Sequence, residues 1–306
     1  MPSVSLLVIA VVGPTATGKS DLALDLAVEL GGEIVNADAM QLYRGMDIGT
    51  AKVPPGERRG IPHHQLDVLR VDQEASVAAY QHHGRADLSA IGARGRPAIV
   101  VGGSGLYVRA LLDRMSFPGT DPELRAHLED RAGREGAGAL HAELARLDPD
   151  AAQRIDPRNT RRVVRALEVI HLTGLPFSAN LPDYRYQVPA VQIGLAMPHE
   201  ELDARIEERA ERMFAAGLLE ETCRLREEGL ERGRTANRAV GYAQALAVLC
   251  SQMTTPEAVA DTARATRQLA RRQVKWFRRD PRVHWIPAGA GALDHAMDHL
   301  RRTRAG

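Results

Sequence analysis

The chain has 306 residues, room for one large domain or two modest ones, and a core that needs no disulfide or metal staple. Apolar residues make up 44% and charged residues 26%, as in a soluble globular protein, and two cysteines exclude a disulfide scaffold or a Cys-rich zinc module. The net charge of +1 averages over clusters: eight Arg or Lys stand between Arg264 and Arg282 against one acid, Asp280, and five Arg stand between Arg154 and Arg165 against one Asp.

Val4–Val12 is a run of nine residues, apolar except for Ser5, far short of the ~20 that span a bilayer. It lacks the flanks of a secretory signal, so a buried first strand and a cytoplasmic protein are expected. Glu33–Ala37, Gln65–Leu69 and Ala98–Val101 also read as strands, with helices predicted over Lys19–Leu30 and Ser76–Arg94. This alternation predicts a parallel sheet covered on both faces. From Pro118 to Asn180 the pattern is helical, with candidates at Pro122–Arg131, Ala137–Leu147 and Thr160–Thr173. A strand is predicted at Val191–Ala196, then helices at His199–Ala215, Leu218–Glu228, Ala239–Leu249 and Thr255–Arg278, the last with Thr255 as N-cap, and a final short strand at Val283–Ile286. The predicted fold is α/β, a P-loop-type core over 1–117 and 191–306 interrupted by a helical insertion over 118–190.

Gly13-Pro14-Thr15-Ala16-Thr17-Gly18-Lys19-Ser20 follows an apolar strand and opens a helix, the context required of a phosphate-binding G-x-x-x-x-G-K-[ST] loop. Its backbone N–H groups and the helix N-terminus attract phosphate oxygens, Lys19 supplies a full charge, and the Ser20 hydroxyl can hold Mg²⁺. The loop alone fits ATP, GTP or any Mg-bound pyrophosphate. The second strand runs into Asn36-Ala37-Asp38-Ala39-Met40-Gln41-Leu42-Tyr43. Strand carboxyl ends line the ligand crevice of open α/β sheets, so Asp38 is a candidate Mg²⁺ ligand, general base or turn aspartate. The fourth strand ends in Gly102-Gly103-Ser104-Gly105-Leu106-Tyr107, where glycine allows close approach of a ligand and Ser104 offers a hydroxyl.

These motifs occur in a fixed order with Gly49-Thr50-Ala51-Lys52, Pro62-His63-His64, Arg165-Ala166-Leu167-Glu168, Ala239-Val240-Gly241-Tyr242 and Thr266–Gln273. The set resembles the bacterial tRNA dimethylallyltransferase (tRNA isopentenyltransferase) family from about Val8 to Arg279. The resemblance implies a prenyltransferase that moves the dimethylallyl group of dimethylallyl diphosphate to the exocyclic amine of the adenosine just 3′ of the tRNA anticodon. It implies that the loop holds the donor's pyrophosphate with Mg²⁺, that Asp38 is the base, and that Ser104, usually Thr in the family, lies between donor and acceptor. Ser20 for Thr and Ala39 for Ser are similar departures. An Arg of the helix from His199 would meet the pyrophosphate, Arg209 being preferred to Arg205.

Arg264, Arg267, Arg271, Lys275 and Arg278 are spaced three or four apart and form one helical stripe, which either tracks a phosphate backbone or is simply solvated. Trp276 and Phe277 stack on bases or anchor the helix. The resemblance implies tRNA contacts from Arg271, Arg272, Gln273, Lys275 and Arg278, from Arg238, Gly241, Tyr242 and Gln244, and from Arg125, Arg161, Arg162 and Arg165, with Asp38, Ala39, Met40, Gln41 and Ser104 around the target base. The partners expected are a tRNA anticodon stem-loop and dimethylallyl diphosphate, with no membrane, and the protein is expected to be a monomer. Competing readings are a small-molecule kinase, a prenyltransferase of free adenylate, and a non-enzymatic RNA-binding NTPase. His63-His64 and His82-His83 lack metal spacing and read as structural, and Cys223 and Cys250 as buried fillers.

Overall fold

The computed structural model describes residues 7–180 and 184–305. The strands are β1 (Val8–Val12), β2 (Glu33–Asn36), β3 (His63–His64), β4 (Ala98–Gly102), β5 (Ala190–Ala196) and β6 (Val283–Pro287). They form one parallel sheet in the order β3-β2-β4-β1-β5-β6. β1 is central and wholly buried, which is why its sequence is a continuous apolar run rather than an alternation. Val8–Val12 pairs residue for residue with Ala98–Gly102, and Glu33–Asn36 with Ala98–Val101. That register brings the carboxyl ends of β2, β4 and β1 side by side. The first strand was expected from Val4; residues 4–6 lie outside the described part.

The helices are α1 (Lys19–Leu30), α2 (Val77–Ala93), α3 (Gly105–Leu112), α4 (Pro122–Glu135), α5 (Ala137–Leu147), α6 (Pro149–Arg154), α7 (Thr160–Thr173), α8 (His199–Ala215), α9 (Leu218–Glu227), α10 (Tyr242–Leu249), α11 (Thr255–Phe277) and α12 (Ala292–Ala305). Among the described residues, no helix is long and apolar enough to cross a membrane. Three helices escape the periodicity. α3 buries six of its eight residues and so shows no polar face. α6 is only six residues long. α12 carries its buried stripe on Ala292, Ala296 and Leu300, mostly small side chains.

Three local readings are corrected. Gln65–Leu69 is not a strand: Gln65 and Asp67 sit at φ 58° and 57°, which breaks an extended run, and the pairing with β2 falls on His63–His64 instead. The N-cap of α11 is Thr254, one residue before the expected Thr255; its side chain accepts from the Glu257 N–H while Glu257 returns a bond to the Thr254 N–H. Cys223 and Cys250 are exposed, not buried fillers.

The chain divides into two compact units, Met1–Leu112 with Tyr186–Gly306, and Asp113–Arg185. The second begins and ends five residues before the expected 118–190. It has its own core, including Leu128, Leu140, Leu144, Val163 and Leu167. Inside it the buried Glu168 carboxylate accepts from Arg125 at 2.7 Å, Arg165 at 2.8 Å and the Asp121 N–H at 3.1 Å. A buried charge survives only with such partners.

At the start of β2, Glu33 is similarly enclosed. It accepts from Arg94 at 3.0 and 2.7 Å and from Arg96 at 3.3 Å, and its other neighbour is His64 Nε2 at 2.7 Å. The structural role of His64 lies here. The Arg94 hydrogen bonds, ahead of that from His64, hold the Glu33 carboxyl down at about 2. Because the folded value lies below the unfolded one of about 4.5, the stability this provides is full above pH 4.5 and is lost as pH falls through about 2. Glu33→Gln is expected to cost roughly 2 kcal/mol at neutral pH, a modest figure because Arg94 is half-exposed to water. It should also flatten the decline in stability over that acid window, as urea unfolding at stepped pH would show.

Candidate active site at the carboxyl ends of three neighbouring strands

The loop leaving β1 is shaped by its glycines. Gly13 and Gly18 take φ 133° and 82°, backbone that other residues rarely adopt, and Gly18 turns the chain into α1. Ala16 between them also has a positive φ, 65°. Thr17 Oγ1 and Lys19 Nζ both donate to the Pro14 carbonyl, at 2.9 and 2.6 Å. Burial pulls the Lys19 ammonium down to about 8; the Asp38 carboxylate counters this and Arg209 adds to it. Ser20, the second residue of α1, has no hydrogen-bond partner for its hydroxyl among the described residues.

The loop leaving β2 is fastened by Asn36. Its side-chain oxygen accepts from the Asp38 N–H at 2.9 Å, and its amide donates to the carbonyls of Asp38 and Gln65 at 3.0 and 2.9 Å. Tyr80 donates its hydroxyl to the Asn36 carbonyl at 2.7 Å. Asp38 Oδ1 accepts from the Met40 N–H at 2.9 Å, a turn that fixes the carboxylate. Its Oδ2 has no hydrogen-bond partner among the described residues, so the group is both a turn aspartate and an open acceptor. The loop leaving β4 joins it: Ser104 Oγ accepts from the Ala39 N–H at 3.2 Å, leaving its own proton to donate elsewhere.

The glycines of that third loop serve more than ligand approach. A Cβ on Gly102 would lie 2.2 Å from the Ala37 carbonyl oxygen, one on Gly103 2.2 Å from Gln273 Nε2, and one on Gly105 2.0 Å from Trp276 Nε1. The space they leave is filled by protein.

Lys19, Ser20, Asp38, Gly103 and Arg209 line one cleft of about 490 Å³. A second recess of about 290 Å³ shares Thr15, Asp38 and Arg209 and reaches Met40, Arg238 and Arg272. Of the three arginines of α8, Arg209 lines both recesses and Arg212 the first, whereas Arg205 lines neither and pairs with Glu201 at 3.0 Å.

Sequence reading missed what holds the remaining wall. Glu221 of α9 is buried and accepts from the N–H groups of Ile48 and Gly49, at 3.0 and 3.4 Å, and from Tyr242 Oη at 2.6 Å. Lys52 is buried and donates to Asp47, Asp67 and the Tyr43 carbonyl. Together they set the loop that carries Gln41 and Thr50, joined at 3.1 Å, to the cleft. Only the long-range fold reveals Glu221; Lys52 was visible as part of Gly49–Lys52.

Several residues expected to face RNA are placed elsewhere. Tyr242 is fully buried against Glu221. Gly241 is buried too, and Gln244 accepts from its N–H and donates to Asp261. Gln273 is buried beside the phosphate loop, and Phe277 is a core residue, whereas Trp276 is 42% exposed. In the basic stripe of α11, Arg264, Arg267 and Arg271 pair with Asp261, Glu207 and Asp203. Arg272, Lys275 and Arg278 are exposed without an ion-pair partner among the described residues. In the second unit, Arg125 and Arg165 are taken by Glu168, while Arg161 and Arg162 are exposed at the start of α7.

The sequence model of the IPP transferase family matches residues 41–280. A tRNA dimethylallyltransferase of Thermobifida fusca is 59% identical over 291 residues, covering 94% of this chain and 91% of its own. One from Streptomyces avermitilis is 58% identical over 286 residues, covering 94% and 92%. The crystal structure of full-length tRNA isopentenylpyrophosphate transferase from Bacillus halodurans superposes with a TM-score of 0.71 at 37% identity, over 98% of this chain and 95% of that one. A eukaryotic dimethylallyltransferase acting on tRNA gives 0.81 at 27% identity, over 94% and 75%.

Proposed function

Because the chain belongs to the IPP transferase family, we propose that it transfers the dimethylallyl group of dimethylallyl diphosphate to the exocyclic amine of the adenosine 3′-adjacent to a tRNA anticodon, releasing pyrophosphate. The observation that carries the reading is the placement of Asp38: an acceptor oxygen left open in the same cleft as Lys19, Arg209 and the phosphate loop. One cleft thus holds a base beside a cationic cradle.

The chemistry divides accordingly. The allylic C–O bond breaks and its electron pair leaves on pyrophosphate, while the adenine nitrogen forms the new C–N bond and its proton passes to Asp38. Lys19, Arg209 and the loop amides stabilise the charge that builds on the leaving group. The exocyclic amine of adenine is a poor nucleophile because its lone pair is delocalised into the ring, so the open oxygen of Asp38 matters as the new bond forms. Ser104 lines neither recess; its hydroxyl accepts from the Ala39 N–H and so supports the turn that carries the base. The purine must leave its stack to reach this depth, at a cost of about a few kcal/mol that is smallest in a single-stranded loop.

Mg²⁺ fits the donor set. It prefers one or two protein oxygens with the rest from phosphate and water, and Ser20 offers one unengaged hydroxyl beside the cradle. Bound there, it would neutralise diphosphate charge. The exposed Arg272, Lys275 and Arg278 supply an RNA-facing patch in the first unit, and Arg161 and Arg162 one in the second.

The test is a parallel incubation of the protein with unmodified tRNA and either dimethylallyl diphosphate or ATP, followed by nucleoside mass spectrometry. Prenylated adenosine with the allylic donor is expected. ATP turnover without prenylation would replace this reading with a kinase or an NTPase switch.

A further inference from the structure

We infer that Gln273 is a positioning residue for the diphosphate end of the site, a brace by which α11 ties the phosphate loop to the Ser104 turn, rather than a contact to RNA. Its side-chain oxygen accepts from the Thr15 N–H at 2.9 Å, and its amide nitrogen donates to the Gly103 carbonyl at 3.0 Å. Thr15 lies on the loop after β1 and Gly103 on the loop after β4, strands that are neighbours in the sheet. A carboxamide carries one acceptor and one donor on a single fork, which suits one N–H and one carbonyl at once. Both bonds are shielded, since Gln273 is only 9% exposed. The Thr15 N–H therefore faces protein, and the remaining amides of the loop are those left for phosphate.

The packing around this fork says the same. Gln273 and Trp276 are three residues apart and share one face of α11. The first occupies the space above Gly103 and the second the space above Gly105, where no side chain fits. Ser104 stands between those two glycines, so the helix fixes the turn that presents its hydroxyl. Arg272, Lys275 and Arg278 on the same helix are exposed. One helix thus supports the diphosphate cradle from within and offers cations outward.

This inference rests on the proposed reading only for which diphosphate is bound, and inorganic pyrophosphate probes the brace without any transfer reaction. Three experiments are run on the full chain: pyrophosphate affinity with Mg²⁺ by calorimetry, KM and kcat for dimethylallyl diphosphate at saturating tRNA, and anticodon stem-loop affinity by anisotropy. Gln273→Ala is expected to weaken pyrophosphate binding and raise the donor KM about tenfold each, with stem-loop affinity within about twofold of wild type. Gln273→Glu keeps the volume and the acceptor for Thr15 but sets an oxygen against the Gly103 carbonyl and a charge near the diphosphate. Its loss should equal or exceed that of alanine, and it carries the test if the alanine variant does not fold. Lys275→Ala should do the reverse, weakening stem-loop binding and lowering its salt slope by about one. Gln273 variants that bind pyrophosphate like wild type, or that lose stem-loop affinity as Lys275→Ala does, overturn the inference. Wild-type protein that binds pyrophosphate but never prenylates tRNA counts against the proposed function and leaves the brace standing.

Discussion

Asparagine in place of Asp38 is expected to lower turnover by about 10²–10⁴-fold, the range set by losing a positioned general base. Affinity for the anticodon stem-loop should stay within about threefold, because the change removes a proton acceptor and little shape. Asparagine keeps the oxygen that accepts from the Met40 N–H, so the turn is preserved. Single-turnover rates and anisotropy on the same preparation separate the two effects. Equal losses of rate and stem-loop affinity would make Asp38 a binding residue. The substitution has a second consequence: the Asp38 carboxylate opposes the burial that pulls Lys19 down, so its removal should move the Lys19 titration to lower pH.

Lys19→Ala is expected to reduce kcat by about 10²–10³-fold, as when a preorganised charge at a leaving group is lost. It should weaken pyrophosphate binding as well, since the cradle serves ground state and leaving group alike. The pH dependence follows from a value of about 8 in the free protein: the ammonium is charged below it and neutral above it. Donor capture, read as kcat/KM, should therefore decline as pH rises past about 8. Lys19→Arg, whose guanidinium stays charged, should abolish that limb even if it is slower at every pH. A profile that is flat through this range would detach Lys19 from the donor.

Much of the architecture is legible in residues 1–117 because buried parallel strands and amphipathic helices differ so plainly in period. VIAVV, the phosphate loop and α1 leave little alternative. Asp38, Ser104 and Lys19 read as candidates because each follows a strand, where an open sheet opens to ligand; Asp38 and Lys19 line the cleft, and Ser104 stands behind it on the Ala39 N–H. Other features depend on contacts far apart in sequence. Nothing local marks Gln65 and Asp67 for left-handed backbone, so the run to Leu69 reads as a strand. Gly102, Gly103 and Gly105 read as ligand-facing, and the first two do line the cleft, but that their missing side chains also admit Ala37, Gln273 and Trp276 is a matter of long-range packing. Tyr242 follows a motif loop and looks available, while its hydroxyl is committed to Glu221, 21 residues earlier. The stripe on α11 is visible as charge, and Asp261 stands three residues before Arg264 on the same helix, but that Arg267 and Arg271 are spent on Glu207 and Asp203 emerges only when α8 is packed beside it.

The most direct test is a crystal structure with an unreactive allylic diphosphate analogue and an anticodon stem-loop bound together. The diphosphate should lie on the amides of residues 16–20 with Lys19 and Arg209, and the adenine amine should be within hydrogen-bond reach of Asp38 Oδ2. A diphosphate seated away from that loop, or an adenine whose amine faces any group but Asp38, would contradict it.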